Sequence, residues 1–260
     1  MSSLVNVKGL VIRNINMNEA DRLITVFTEE HGAVSAMAKG ARGYKSRQMS
    51  STLVFCYGKF VLYKKGDMYW VKESELIESF FDIRRSVEGL ALASYIAEVL
   101  SDVTVAEADC DLLRLSLNSL YAIASGKYSI AKIKAAFEIR CAAILGFMPD
   151  VLACTSCKEK SGDFFFNIMG GSILCYSCNE KQARAHALPE NPNESSIVTI
   201  ITEGAKQALG YCIYCPIEKI FSFNISDGDM ACFSRAAEDY LINQLERSFK
   251  TLEFYKEVCR

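Results

Sequence analysis

The chain has 260 residues, half of them hydrophobic, a net charge of −2 and eleven cysteines. At this length one large domain or two to three small ones are expected, with enough apolar residues for a core that needs no covalent staples. No run of about 18 apolar residues is present and the start, M-S-S-L-V-N-V-K-G, lacks the basic and apolar regions of a signal peptide, so a cytoplasmic protein without membrane association is expected.

Residues 4 to about 78 read as β structure: short alternating runs separated by turn signals. The runs are Val5 to Ile12, Leu23 to Thr28, Ala33 to Ala38, Leu53 to Tyr63 and Met68 to Lys72, with a loop over Lys39 to Ser51 and a turn at Lys64-Lys65-Gly66-Asp67. Five strands in so short a span suggest a small closed barrel, and the OB-fold is the commonest barrel of that size with a nucleic-acid face.

From His31 to Gly66 there are seven basic residues and no Asp or Glu, which leaves the rest of the chain at −9. Such a block in an acidic chain is the footprint of a polyanion-binding face, with a solvated basic loop as the plainer alternative. Lys39, Arg42, Lys45, Arg47, Lys59, Lys64 and Lys65 are interleaved with Tyr44, Tyr57, Tyr63, Tyr69 and Trp70. Cations that track phosphates and rings that stack on bases are the two ingredients of sequence-tolerant single-strand binding. Strand alternation directs about half of the strand aromatics inward, so Tyr44, in the loop, is the aromatic candidate for contact with a base.

From about Asp82 the period lengthens to 3.6. Arg84 to Asp102 places Val87, Leu90, Ala91, Ser94 and Ala97 on one side, and Asp109 to Ser125 places Leu113, Leu117, Leu120, Tyr121 and Ala124 on another, stopping at Gly126. A third helix, Ile130 to Leu145, buries Ile133, Phe137, Cys141, Ile144 and Leu145 and ends at Gly146, with Pro149 preventing its resumption.

Next comes C-T-S-C at Cys154 to Cys157, seventeen residues, then C-Y-S-C at Cys175 to Cys178. Paired Cys-x-x-Cys motifs at this separation are the spacing of a four-thiolate zinc site, because two knuckles can close a tetrahedron. Between them Asp163 to Ile168 and Ser172 to Cys175 read as strands joined by a Met169-Gly170-Gly171 turn, a zinc-ribbon layout. Two disulfides or four unrelated core cysteines are the alternatives. One structural Zn2+ on Cys154, Cys157, Cys175 and Cys178 is expected, with no open position for catalysis.

Ala187 to Ser196 is a polar linker with two prolines. Helical pattern returns over Ser196 to Tyr211 and from Asp227 to about Glu246, where Ser226 and Asp229 can cap and Phe233, Ala237, Tyr240 and Leu241 are buried. The tail from Arg247 to Phe254 either continues that helix or docks beside it. Cys212 and Cys215 form a third Cys-x-x-Cys, read as a half-buried helix end because no fourth pair accompanies it. The expected architecture is α+β and multidomain: an OB-fold nucleic-acid-binding domain over residues 1–80, then a mostly helical domain over 81–260 carrying the ribbon at about 150–182.

Neither a phosphate-cradling G-x-x-x-x-G-K-[ST] nor a G-x-G-x-x-G turn is present. With two histidines, His31 at a turn and His186 in a polar stretch, a histidine-based catalytic pair is not expected, and no carboxylate spacing picks out a two-metal cluster. The chain reads as a binding protein rather than an enzyme.

Several blocks taken in order resemble the RecO family of bacterial recombination mediators. They are Glu19-x-Asp21-Arg22, T-E-E-H-G at Thr28 to Gly32, A-K-G-A-R-G-Y-K-S at Ala38 to Ser46, F-E-I-R-C-A-A-I-L-G-F-M-P at Phe137 to Pro149, the C-x-x-C after it, and R-S-F-K-T-L near the C-terminus. The resemblance implies an N-terminal OB-fold, a helical domain with a projecting zinc ribbon, and a cytoplasmic, nucleoid-associated bacterial protein. It implies binding of single- and double-stranded DNA, annealing of complementary strands, partnership with RecR and with the C-terminal tail of single-strand binding protein, and indirect action on RecA through its loading onto coated strands. Lys39, Arg42, Lys45 and Arg47 match the family's basic loop, with Gly43-Tyr44 standing where further basic residues are common. An RNA-binding OB-fold and zinc-ribbon protein of translation or transcription is the alternative reading, and a metal-dependent nuclease a third.

Overall fold

The computed structural model describes residues 4–103, 109–185 and 197–259. His186 and the linker expected over Ala187 to Ser196 lie outside the described residues. Contacts divide the chain into two compact units, Met1–Lys127 with Phe249–Arg260, and Tyr128–Ser248.

The first unit is built on five strands: β1 (Leu4–Met17), β2 (Asp21–Thr28), β3 (Gly32–Ala38), β4 (Tyr57–Lys65) and β5 (Met68–Glu78). They close in the order β1-β2-β3-β5-β4, with β1 antiparallel to both β2 and β4, and β3 parallel to β5. This is a five-stranded barrel of the OB type. Val7, Val11, Ile24, Val26, Ala36, Ala38, Phe60, Leu62 and Val71 fill it, most of them at alternating positions of their strands as period-two patterning requires. Gly9 and Gly58 are cross-strand partners. A Cβ on Gly9 would sit 2.3 Å from the Phe27 carbonyl oxygen and one on Gly58 2.6 Å from that of Glu75, so the strands approach this closely because both positions lack a side chain.

Three strand boundaries differ from expectation. β1 runs on to Met17 after an irregularity between Val11 and Arg13, and β5 extends to Glu78. Leu53 to Cys56 is turn rather than strand, because Phe55 takes a positive φ of 71° and its N–H is spent on the Val11 carbonyl.

After a short 3-10 segment, Phe81–Arg85, come α1 (Val87–Val103) and α2 (Cys110–Ser125). α2 is capped by Asp109, whose carboxylate accepts from the N–H groups of Asp111 and Leu112, and it ends at Gly126 with φ 62°. The expected apolar faces are rotated. In α1 the exposed residues include Val87 and Leu90, while Ala91, Leu92, Ala93, Tyr95, Ile96, Ala97, Val99 and Leu100 are buried. In α2 Tyr121 is exposed and Leu112, Leu115, Ala122 and Ile123 join Leu113 and Leu120 inside. α1 is covered on several sides, by the 3-10 segment, by β1, by α2 and by the terminal helix, so no single stripe describes it.

The tail is a separate helix: Glu246 is left-handed and ends the preceding one. The terminal helix, α7 (Lys250–Val258), packs on α1 within the first unit. Phe249 meets Tyr95 edge-on at 5.7 Å, and the Glu98 carboxylate accepts from the N–H and hydroxyl of Thr251.

The second unit contains α3 (Ile130–Ile144), β6 (Phe164–Asn167), β7 (Ser172–Cys175), α4 (Tyr176–Ala185), β8 (Val198–Ile201), α5 (Glu203–Tyr214) and α6 (Asp227–Leu245). The hairpin β6-β7 stands as the sequence predicts, with Gly171 at φ 59° in its turn. Two features correct the sequence reading. Residues 198–201 are a strand that pairs with β6, giving the order β7-β6-β8, so the following helix starts only at Glu203, capped by Thr202. The second Cys pair opens α4 directly. α6 is capped by the Ser226 hydroxyl and buries Phe233, Ala237, Tyr240 and Leu241 as expected. Asp229 is not the cap residue; its carboxylate accepts from the Thr202 and Ser226 hydroxyls.

A buried ion triad lies between α3 and α6. Lys134, 1 % exposed, donates to Glu138 one turn on and to Glu238 of α6 at 2.7 Å. Among the described residues no helix is long and apolar enough to cross a membrane.

Candidate nucleic-acid interface and metal centre

The basic loop between β3 and β4 is a chain of overlapping turns: Gly43, Ser46 and Met49 each donate their N–H to the carbonyl three residues back. It is fastened at several points. Gly40 N–H donates to the Asp21 carboxylate at 2.8 Å and Arg42 N–H to the Ala20 carbonyl at 2.9 Å, which fixes the start. Arg22 fixes the far end, donating through Nη1 to the Thr52 hydroxyl at 2.7 Å and to the Met49 carbonyl at 3.2 Å. Phe55 and Cys56 then bond to both backbone groups of Val11. A loop tethered in this way holds its side chains in a defined frame, which a free loop would have to acquire on binding.

Lys39, Arg42, Tyr44, Lys45 and Arg47 are all exposed on this frame, Tyr44 at 82 %. The Lys45 ammonium lies 5.3 Å from the Tyr44 ring centre, so cation and ring present together. Arg42 gives one donor to the Asn18 carbonyl. Lys64 and Lys65 are exposed at the β4-β5 turn, where Lys65 stands 5.6 Å from the centre of the Trp70 ring. Trp70 is paired with Met37 across the parallel β3-β5 contact, two residues before the loop begins, and the Gln48 amide reaches the Lys72 carbonyl at 3.3 Å. Loop and turn thus belong to neighbouring strands of one barrel.

Lys59 stands apart from them. It is exposed, but its ammonium is 3.3 Å from Glu75, and it borders a groove of about 380 Å3 that also takes in Glu29, Glu30 and Glu73. Nearby, Tyr57 donates to Glu29 at 2.6 Å and Lys8 lies 3.5 Å from the same carboxylate. Tyr57, Tyr63, Tyr69 and Trp70 are half-buried, and Tyr69 packs against the barrel core. Tyr44 is the aromatic that owes nothing to packing.

Arg22 is the residue that composition and charge blocks miss. Burial pushes its guanidinium below the usual arginine range, with Arg42 adding repulsion. The signal was present in the alternation: Arg22 is in phase with Ile24 and Val26, so an ionisable side chain occupies an inward position of a strand.

In the second unit the four cysteines converge, their Sγ atoms all within 4.8 Å of one another and those of Cys157 and Cys175 3.5 Å apart. Four thiolates about 2.3 Å from a zinc would be separated by roughly 3.8 Å, so the cluster is of the right size for a metal ion. Cys154, Cys175 and Cys178 are buried and Cys157 is exposed. Burial opposes ionisation of Cys154, but backbone N–H groups of Cys157, Cys175 and Ser156 outweigh it and bring the thiol down to about 6, whereas Cys157, despite the Glu159 N–H, is pushed up to about 12 by hydrogen bonds to the neighbouring sulfurs. Amides aimed at sulfur favour thiolate, the form that binds metal. Among the described residues this is the one such cluster; Cys212 is buried and Cys215 is the cap of α5.

Residues 1–80 match the family model "Recombination protein O N terminal" and residues 84–195 match "Recombination protein O C terminal". The chain belongs to the RecO family. It is 34% identical to the DNA repair protein RecO of Acetivibrio thermocellus over 98% of both chains. It is 26% identical to the protein of that name from Alkaliphilus metalliredigens over 98% of this chain and all of the relative, and 30% identical to one from Listeria monocytogenes over 71% of this chain and 72% of the relative. Membership makes the chain a DNA repair protein, of a family that is not an enzyme family. The barrel, the helices after it and the cysteine cluster accord with the α+β architecture that the sequence predicts.

Proposed function

We propose that this RecO family member is a DNA-binding recombination mediator of the gap-repair type. It binds single- and double-stranded DNA, anneals complementary strands, and together with RecR helps load RecA onto strands coated by single-strand binding protein, whose C-terminal tail it engages. The DNA face is the loop carrying Lys39, Arg42, Tyr44, Lys45 and Arg47, extended by Lys64 and Lys65, in a barrel domain over residues 1–80. Lys59 contributes less, because an exposed pair with Glu75 already neutralises it. The protein works in the cytoplasm at the nucleoid, away from membranes.

The observation that carries this reading is the pinned loop with four exposed cations and an exposed tyrosine in a barrel of the OB type. Phosphates are met by the cations, which releases counterions and supplies affinity without sequence preference, while Tyr44 offers a face on which a base can stack. Bases held this way keep their pairing edges available for a second strand.

One structural Zn2+ is held by Cys154, Cys157, Cys175 and Cys178 in the second unit. Bound there it would cross-link two knuckles and contribute folding energy, with no open coordination position for chemistry.

The direct test is an annealing assay with complementary oligonucleotides, bare and coated with single-strand binding protein. Acceleration of both is expected. No acceleration of either would overturn the mediator reading, and a marked preference for RNA over DNA in competition would favour an RNA-binding role.

A further inference from the structure

Lys206 is a buried cation beside the cysteine-bearing sheet, near Glu203 and Glu159, whose ammonium hydrogen-bonds to a backbone carbonyl. It lies in the first turn of α5, is 7 % exposed, and donates its ammonium to the Lys160 carbonyl. Its Nζ also stands 4.6 Å from the centre of the Phe164 ring. One contact neighbours the first cysteine pair and the other the second. Lys160 is three residues past Cys157, on the exit from the first knuckle. Phe164 is the cross-strand partner of Cys175, the first ligand of the second knuckle, and of Ile201 on β8.

The rest of the exit is held by the same turn of α5. Gly162 N–H donates to the Glu203 carboxylate at 3.0 Å, and Glu203 N–H donates back to the Asp163 carboxylate at 3.3 Å. The knuckle itself closes through Cys154 N–H to the Glu159 carbonyl at 2.8 Å and Lys158 N–H to the Cys154 carbonyl at 2.9 Å, with Lys158 left-handed at φ 65°. The Glu159 carboxylate accepts from the N–H groups of Lys160 and Ser161, and contacts to α5 hold the rest of the path from the first knuckle to the sheet.

We propose that Lys206 is a positioning residue for the metal centre: by holding the Lys160 carbonyl and the Phe164 ring at once, it sets the separation of the two cysteine knuckles. This rests on the reading of the four cysteines as a zinc site. An ammonium in a site with little solvent has a strong reason to keep both partners, because an unpaired buried cation is costly. A carbonyl oxygen and a ring face together satisfy it. Residues that orient ligands from outside the coordination sphere commonly alter metal affinity by about 10- to 100-fold.

The test is zinc affinity of the full chain, measured by competition with a chromophoric chelator, with metal content by atomic emission. Wild type is expected to bind one Zn2+. Lys206→Met, which keeps the stem and removes the donor, should bind it at least about tenfold more weakly, while Lys206→Arg stays within about threefold of wild type. A purely structural role would lower the melting temperature of Lys206→Met by the same amount with and without zinc; the positioning role lowers it more with zinc bound. If Lys206→Met fails to fold, Phe164→Leu, which removes the ring beneath the ammonium and keeps the strand, should show the same tenfold weakening. Wild-type affinity in the folded variant overturns the role of Lys206. A wild-type chain that binds no zinc overturns the metal centre itself.

Discussion

Arg22 on β2 and Thr52 at the far end of the basic loop are joined by a 2.7 Å hydrogen bond from guanidinium to hydroxyl, thirty residues apart in sequence. Thr52 is fully buried and its hydroxyl in turn donates to the Gln48 carbonyl at 2.7 Å, so the contact transmits the barrel wall into the loop backbone. Replacing Arg22 by Met leaves the Thr52 hydroxyl and the Met49 carbonyl short of a donor, a loss of about 1–3 kcal/mol that thermal melts will read. DNA affinity should fall because the loop must be ordered on binding, but the salt dependence should keep its slope, since the phosphate-facing cations remain. A slope reduced along with the affinity would instead make Arg22 a phosphate ligand.

Neutralising Lys39, Arg42, Lys45 and Arg47 together to Gln should flatten the log-log salt dependence of single-strand binding by about three units, at roughly 0.7 per phosphate contact. Lys59→Gln should leave the slope nearly unchanged, because its charge is already matched by Glu75. Fluorescence anisotropy across a salt series measures both. An unchanged slope in the fourfold variant would remove the loop from the interface.

Serine at Cys154 and Cys157 should abolish stoichiometric zinc in atomic emission and lower the melting temperature, since two of four ligands are lost. DNA binding should keep its salt slope, because the loop and the cysteines belong to different compact units. Loss of the slope on chelation would contradict that division.

Lys134 contributes stability with a defined pH window. Burial lowers its pKa, but the charges and hydrogen bonds of Glu138 and Glu238 prevail and raise it above 10.5. A group raised in the folded state stabilises fully below its unfolded value, and this is lost as pH rises through the folded one. The stabilisation from Lys134, read as the melting-temperature difference from Lys134→Met, should therefore be constant between pH 8 and about 10 and decline above that range. Lys134→Met removes the cation shared by two carboxylates in α3 and α6 and should destabilise by about 3–5 kcal/mol at neutral pH; a variant as stable as wild type would show that the triad relaxes into solvent.

Much of this protein is written in short-range patterns. Alternation with glycine turns predicts five strands, and the strand order confirms a barrel. The paired cysteines bracket their own hairpin within 25 residues, so their convergence needs little from the rest of the chain. The capping residues Ser226 and Asp109 and the stop at Gly126 act within one helical turn, and they stand where local chemistry puts them.

What tertiary structure decided depends on partners far away in sequence. α1 is buried on several sides because α2, β1 and α7 meet on it, so a one-stripe reading placed Val87 and Leu90 inside when they are exposed. Val198 to Ile201 reads as the start of a helix until β6 supplies its hydrogen bonds. The tail reads either as more of the preceding helix or as a segment docked beside it until Glu98 and Tyr95 receive it on α1. The basic loop is the clearest case: its charges are plain in the sequence, whereas the frame that presents them is set by Asp21 and Arg22, at the end of β2 that pairing with β3 brings alongside the loop. Composition and period are properties of neighbours along the chain; a buried guanidinium finds its acceptors only when the chain has folded.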